Sequence, residues 1–165
     1  MTETMLQELP QRVQELDKKQ VRNSILMFED KLRQLDGSFE GKESEEVCPL
    51  EHDFVDGAYV RKIFMPKGTL LTSKIHKICH PYFIMSGECS VLTDEGIIRI
   101  KAPFSGITKA WTKRVLYIHE DTVWVTVHVT KHKDLEQIED EIIAKDFSEL
   151  DALPTEEQMK QLRGE

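Results

Sequence analysis

Apolar residues near the start of the chain step by three and four: Leu6, Leu9, Val13 and Leu16, then, after a polar interval at Asp17 to Gln20, Val21, Ile25, Phe28, Leu32 and Leu35. That spacing keeps one face of a 3.6-residue helix apolar and predicts an amphipathic helix over 1–36, of about seven turns. Pro10 suits a first turn, so regular helix is expected from near Leu9, and Asp36-Gly37 supplies a stop signal. The stripe needs an apolar partner, which the pattern leaves open between the β-structure of the same chain and another subunit.

Residues 37–46, GSFEGKESEE, are polar and acidic and read as a solvated linker. From Val47 the period shortens. GAYVRKIFMP alternates as a strand does and ends in the turn Pro66-Lys67-Gly68, where TLLTSKI, YFIMS, ECSVLT and IIRIKA follow as short β-rich runs. They are separated by the break KICHP, by Gly87 and by the turn Asp94-Glu95-Gly96. Farther on, Arg114 to Ile118 and Thr122 to Thr130 are β-branched and aromatic, and the intervening His119-Glu120-Asp121 predicts a hairpin. In the second of these runs Val123, Val125, Val127 and Val129 share one face, and Thr122, Trp124, Thr126 and His128 the other; parity does not say which is inside. The expected β-domain covers 47–131, as a compact antiparallel barrel or sandwich.

Helical spacing returns in 132–165. Asp134 is a plausible N-cap for LEQIEDEIIAKDF, with Leu135, Ile138 and Ile142 on one side, and beyond the break at Pro154 the tail has room for one further short helix.

Length and charge narrow the function. A chain of 165 residues suits one domain with appendages, and a net charge of −8, from 30 acidic against 22 basic residues, argues against a nucleic-acid partner. No basic start with an apolar core marks a secretory leader, and no apolar run reaches membrane-spanning length, so no membrane is expected. Cys48, Cys79 and Cys89 form no CxxC pair and leave an odd thiol, which fits a reducing compartment and a cytoplasmic protein. No Ser-His-Asp order, phosphate loop or HExxH sequence is present.

The candidate chemistry lies at His76 and His80. In an extended strand four residues at about 3.3 Å each hold the rings about 13 Å apart, too far to share one ion. A chain reversal over Ile78 to Pro81 lets both imidazoles converge within the roughly 2.0–2.1 Å reach of a divalent metal. Two imidazoles leave such an ion short of three protein ligands, and His119, His128, His52 or Glu88 must then complete the set. Cys79, of opposite parity to His76, is expected as a small buried core thiol.

These residues carry a resemblance to the cupin family, in particular to small single-domain cupin-like proteins often encoded by tailed bacteriophages. It spans Val47 to Ala144. Gly68 and Gly87 look like the two glycines of the first cupin motif, with His76 at the second histidine of its HxH pair and His80 at its glutamate. Lys74 stands at the first histidine, and Ala110, Trp111 and Arg114 stand for the proline, glycine and histidine of the second motif. The resemblance implies a mainly β, double-stranded β-helix or jelly-roll barrel flanked by an N-terminal amphipathic helix and C-terminal helices.

Three functional readings follow. The first is a non-catalytic barrel with an eroded metal set, acting as a homo-oligomeric binding or structural module, an accessory or virion-associated phage component that meets other phage structural proteins in the host cytoplasm or virion. The second is a metal-dependent oxygenase or isomerase using Fe, Mn, Ni or Zn on His76 and His80 with a third ligand. The third is a protein that sequesters a small anion or nucleotide, with Lys74 and Arg114 supplying positive charge inside the barrel and Trp111 and Trp124 as ligand-stacking platforms.

Overall fold

The computed structural model describes residues 11–151 and 156–164. The chain order is helix α1 (Gln11–Arg33), helix α2 (Lys42–Val47), strands β1 (Leu50–Val55), β2 (Ala58–Met65), β3 (Leu70–Thr72), β4 (Ile75–His76), β5 (His80–Thr93), β6 (Gly96–Lys101), β7 (Phe104–Thr108) and β8 (Val115–Val129), helix α3 (Leu135–Ile142), strand β9 (Ile143–Ala144), and helices α4 (Ser148–Asp151) and α5 (Glu156–Arg163). The mainly β, antiparallel architecture with helices at both ends is the one expected. Leu6, Leu9 and the Pro10 start signal, and the Pro154 break, lie outside the described residues.

The main sheet has seven strands and is built on its two longest members, β5 and β8, which run antiparallel side by side. Each is flanked on its other edge by two shorter strands in succession. Strand β8 pairs β3 through Val115 to Tyr117 and β2 through Thr122 to Val129, with β1 beyond β2. Strand β5 pairs β7 through His80 to Ile84 and β6 through Glu88 to Thr93.

Two expected breaks are bends inside continuous strands. Residues His119 to Asp121 belong to the 15-residue β8, so Arg114 to Ile118 and Thr122 to Thr130 do not form a hairpin with each other. Gly87 likewise lies within the 14-residue β5. The two places face one another: the β5–β8 register shifts between Ile84 and Cys89, and Gly87 has φ of 91°. A Cβ on Gly87 would lie 2.3 Å from the Asp121 carbonyl oxygen and 2.7 Å from the Thr122 Cα, so only glycine lets the strands approach here. Bulges of this kind bend the sheet and give it a concave face.

That face holds the core. Met65, Ile84, Cys89, Val91, Ile100, Leu116, Ile118 and Trp124 form its main cluster, joined by Cys48 from the segment before β1. In β8 the face left open by parity is now assigned: Thr122, Trp124, Thr126 and His128 are buried, whereas Val129 is 84% exposed. Cys79, expected in the core, is exposed instead, because the bend after His76 turns it outward, where its sulfur accepts the Ala110 N–H at 3.3 Å.

Strand β4 separates from β3 and pairs β9 in a second, two-stranded sheet. Helix α3 delivers β9. Its N-cap Asp134 accepts the Gln137 N–H at 3.1 Å, and Ile138 and Ile142 are buried against Tyr59 of β2. Burial of two such isoleucines contributes on the order of 3–6 kcal/mol. Helix α1 finds its partner within the same chain: Ile25 is buried, Leu26 packs with Ile75, Ala144 and Phe147, and Glu29 accepts from Thr72 and from the buried Lys113. Part of the expected linker, Lys42 to Glu46, is helical in α2, which has no buried residue. Among the described residues no helix is long and apolar enough to cross a membrane.

Candidate metal centre

The bend expected between His76 and His80 is present at Lys77 and Ile78, and His80 opens β5. The two ring centroids are 4.6 Å apart. A third imidazole joins them from the inward face of β8: His128 lies 4.2 Å from His80 and 5.8 Å from His76, centroid to centroid. One nitrogen from each of the three lies within 4.8 Å of the others. Strands β4, β5 and β8 thus each contribute one ring, and their positions follow from three separate constraints: the β4–β9 pairing, the bend before Pro81, and the inward parity of β8.

The set suits a cation. Nδ1 of His76 and Nε2 of His80 are shut off from solvent and have no hydrogen-bond partner. Unpaired buried polar atoms cost about 1–3 kcal/mol each, which a metal bond would relieve. Burial is the main reason all three rings stay neutral. It pushes His76 down to about 2, with His80, Arg114, His128 and Arg61 adding to the effect. His128 is pushed down to about 3 by burial and then by His80 and Arg61, and His80 to about 4 by burial, partly offset by its bond to the Ile78 carbonyl at 3.2 Å. Neutral imidazole is the metal-binding form. A tetrahedral ion about 2.1 Å from each nitrogen sets them about 3.4 Å apart, so a closure on the order of 1 Å would seat it.

Around the rings the packing is aromatic. Tyr59 stacks on His128 with centroids 5.8 Å apart, and its hydroxyl lies 2.7 Å from Nδ1 of His52. Tyr82 stacks on Trp124 at 4.6 Å, and the guanidinium of Arg114 lies 5.5 Å from both of their ring centres. Gly106 makes this possible, since a Cβ there would come within 2.7 Å of the Tyr82 ring.

The remaining sequence candidates scatter. Lys74 does not approach Arg114; it is largely exposed and ion-paired with Glu139 of α3, because it lies in the break between β3 and β4, where strand parity no longer directs its side chain inward. Trp111 packs at the edge of the Ile75, Ala144 and Phe147 cluster and, with φ of 65°, occupies the left-handed backbone region at the place of a motif glycine. Trp124 is buried in the main core. Of the four residues named as a third partner, His128 is the one that lies beside His76 and His80. His119 bonds to Ser90 at 2.8 Å, Glu88 pairs with Arg99, and His52 is one ring removed behind Tyr59. The sequence reading overlooked Tyr59 and Arg61, although their alternation in AYVRKIFM with buried Met65 puts them on the inward face.

No protein-family model matches the chain, and no curated protein matches it. Solved structures similar to it include a cupin-2 domain from Rhodospirillum rubrum, 14% identical over 72% of this chain and 73% of that chain with a TM-score of 0.45. A Schizosaccharomyces pombe cupin domain is 14% identical over 55% of this chain and 64% of that chain, TM-score 0.43. A cupin-2 domain containing protein from Shewanella frigidimarina is 8% identical over 62% of this chain and 92% of that chain, TM-score 0.42.

Proposed function

We propose that this protein is a divalent-metal-dependent barrel in which His76, His80 and His128 hold a transition-metal ion and leave coordination positions open for a small molecule. The observation that carries this reading is the convergence of three neutral imidazoles from three strands, His80 and His128 buried and His76 half-buried, with an unpartnered, solvent-shielded nitrogen on His76 and on His80. Structural zinc sites close all four positions with protein ligands, whereas sites that act on a substrate use three and keep the fourth open. The arrangement therefore favours the metal-dependent enzyme over a barrel whose metal set has eroded.

An all-imidazole set suits Zn, Fe or Ni better than Mn, which favours oxygen ligands, and a bound ion would supply Lewis acidity toward an oxygen of the small molecule. The chain's own residues supply the rest. The main-chain carbonyl of Ile78 lies within hydrogen-bond reach of His80 Nδ1, which orients that ring and leaves Nε2 as its free donor atom. Tyr59, itself packed against Ile138 and Ile142 of helix α3, stacks on His128 and covers that ring.

Elemental analysis of untagged protein, with Zn and Co titrations followed by a competing chelator dye, tests the reading. One ion per chain is expected, with affinity falling at least about 100-fold in His128→Ala, since even outer-shell changes cost 10–100-fold. Binding that is unaffected by His128→Ala would remove the proposal.

A further inference from the structure

The three histidines share the concave face with an arginine that has no acid to match it. Arg114 is 7% exposed. Its Nη2 donates to the Thr108 hydroxyl, its face is held by Tyr82 and Trp124, and among the described residues it makes no ion pair. Thr108 is the direct cross-strand partner of His80, so the guanidinium sits one rung of the ladder from the nearest imidazole. A second guanidinium, Arg61, shares the inward face of β2 with Tyr59 and acts electrostatically on His76 and His128. The acids that bear on Arg61 are Glu139 and Glu45, and Glu139 is already engaged by Lys74 on the surface.

Among the described residues, the inward side chains of β2, β5 and β8 at this end of the sheet are aromatic, aliphatic, hydroxyl-bearing, imidazole or, at Arg61, guanidinium, and none is a carboxylate. Three neutral imidazoles leave a bound dication with its full charge, and Arg114 adds another beside it. Positive charge gathered in a dry interior without a counter-ion is strongly unfavourable. The balancing charge must arrive with the ligand. Arg114 is prepared to receive it: two rings fix its plane, burial pushes its pKa down to about 10, and among the described residues only one of its side-chain donors is committed to protein.

We propose that Arg114 and the open side of the three-histidine centre together bind a small oxyanion, a carboxylate or phosphate group of the molecule on which the protein acts. This rests on the metal reading above. The guanidinium edge takes two oxygens of the anion in parallel hydrogen bonds, and the anion offsets part of the charge of the ion and of the arginine at once.

The test uses the full chain, metal-free and loaded with one equivalent of Zn, in thermal-shift and calorimetric titrations with oxalate and with inorganic phosphate, and with chloride as control. Wild type, Arg114→Met and Arg114→Lys are compared, and metal affinity is measured for each. The expected result is saturable stabilisation of the Zn form by one or both oxyanions and not by chloride. Which of the two acts separates a carboxylate from a phosphate ligand. Arg114→Met should weaken that binding at least about tenfold while Zn affinity stays within about threefold, and Arg114→Lys, which keeps the charge and loses the fork, should fall between. If Arg114→Met fails to fold, a loss of oxyanion affinity in Arg114→Lys alone decides in favour. Zn bound one to one with no oxyanion effect, or with the same effect in the variants, overturns this inference and leaves the metal reading intact. Absence of Zn binding in wild type overturns both.

Discussion

The imidazoles of His80 and His128 lie 4.2 Å apart, centroid to centroid, one at the start of β5 and the other near the end of β8. The two strands are antiparallel neighbours, so the start of one lies beside the end of the other, and the long β5–β8 ladder delivers both rings to the same end of the concave face. The bend before Pro81 then brings His76 to the pair. The site is a consequence of strand length as much as of sequence motif.

Because burial already keeps His76, His80 and His128 uncharged at neutral pH, metal uptake should displace almost no protons from them. Calorimetry of Zn binding at pH 7.5 in two buffers of different ionisation enthalpy should give nearly equal heats, corresponding to less than about half a proton released per ion from the ligands. Release approaching three protons would mean that the rings are charged before the ion arrives, and the site would need redrawing.

The same neutrality makes the metal-free protein acid-sensitive. An unfolded histidine takes its proton near 6.5, whereas the folded rings take theirs only at about 4, 3 and 2, so below 6.5 the unfolded chain binds more protons. Stability is full above 6.5 and falls as pH drops through the interval down to those folded values. By pH 5.5 the loss should be about 1.4 kcal/mol per imidazole. Urea unfolding of chelator-treated protein at pH 7.5, 6.5 and 5.5 reads this directly, and His76→Gln should flatten the slope by about one third. A stability unchanged between 7.5 and 5.5 contradicts the burial of these rings.

Much of this was legible in the residues. Periodicity marked α1 and α3, turn signals marked most strand ends, and the geometry of an extended strand demanded the bend that joins His76 to His80. The third ring was one of four candidates because parity divides β8 into two faces without saying which is inside. A valine face against one of threonine, tryptophan and histidine suggests by composition that the valines are buried, and the opposite holds, since the interior here is a polar site as well as a core. The continuity of β5 and β8 was also hidden. Gly87 and His119-Glu120-Asp121 carry ordinary turn composition, and only their contact across the ladder makes each a bend that the other accommodates. Lys74 misled because a motif position assigns an inward direction that the break between β3 and β4 removes.

Gly87 offers a sharp test of that contact. Alanine there meets both a positive φ of 91° and the backbone of Asp121 and Thr122, neither of which is a flexible side-chain end. Gly87→Ala should destabilise the protein by about 2–4 kcal/mol, combining left-handed backbone strain with the displacement of β8. Gly57→Ala, which has a similar φ of 82° and open space around its Cβ, should cost only the backbone part, about 1 kcal/mol. Equal losses for the two in chemical denaturation would show that the strands do not meet as described.

A largely buried ion pair helps to attach α1. Lys113 Nζ donates to Glu29 at 2.8 Å and to the Ser73 carbonyl at 2.7 Å, with only 6% of the lysine side chain and 18% of the glutamate exposed. Burial alone would raise the Glu29 carboxyl, but the bonds from Lys113 and Thr72 outweigh it and hold the group below its usual range. Removing one partner leaves the other charge buried, so Glu29→Gln should cost about 2–4 kcal/mol, whereas replacing both, Glu29→Leu with Lys113→Met, should cost less than either single change. Limited proteolysis adds a local readout: in Glu29→Gln the bonds after Arg22 and Lys31 should be cut faster while the sheet stays intact, as expected if the helix releases before the sheet unfolds. A double replacement no milder than the singles would show that the pair behaves as a surface contact, and that α1 is held by its other contacts, Ile25, Leu26 and the Arg22–Asp94 pair among them.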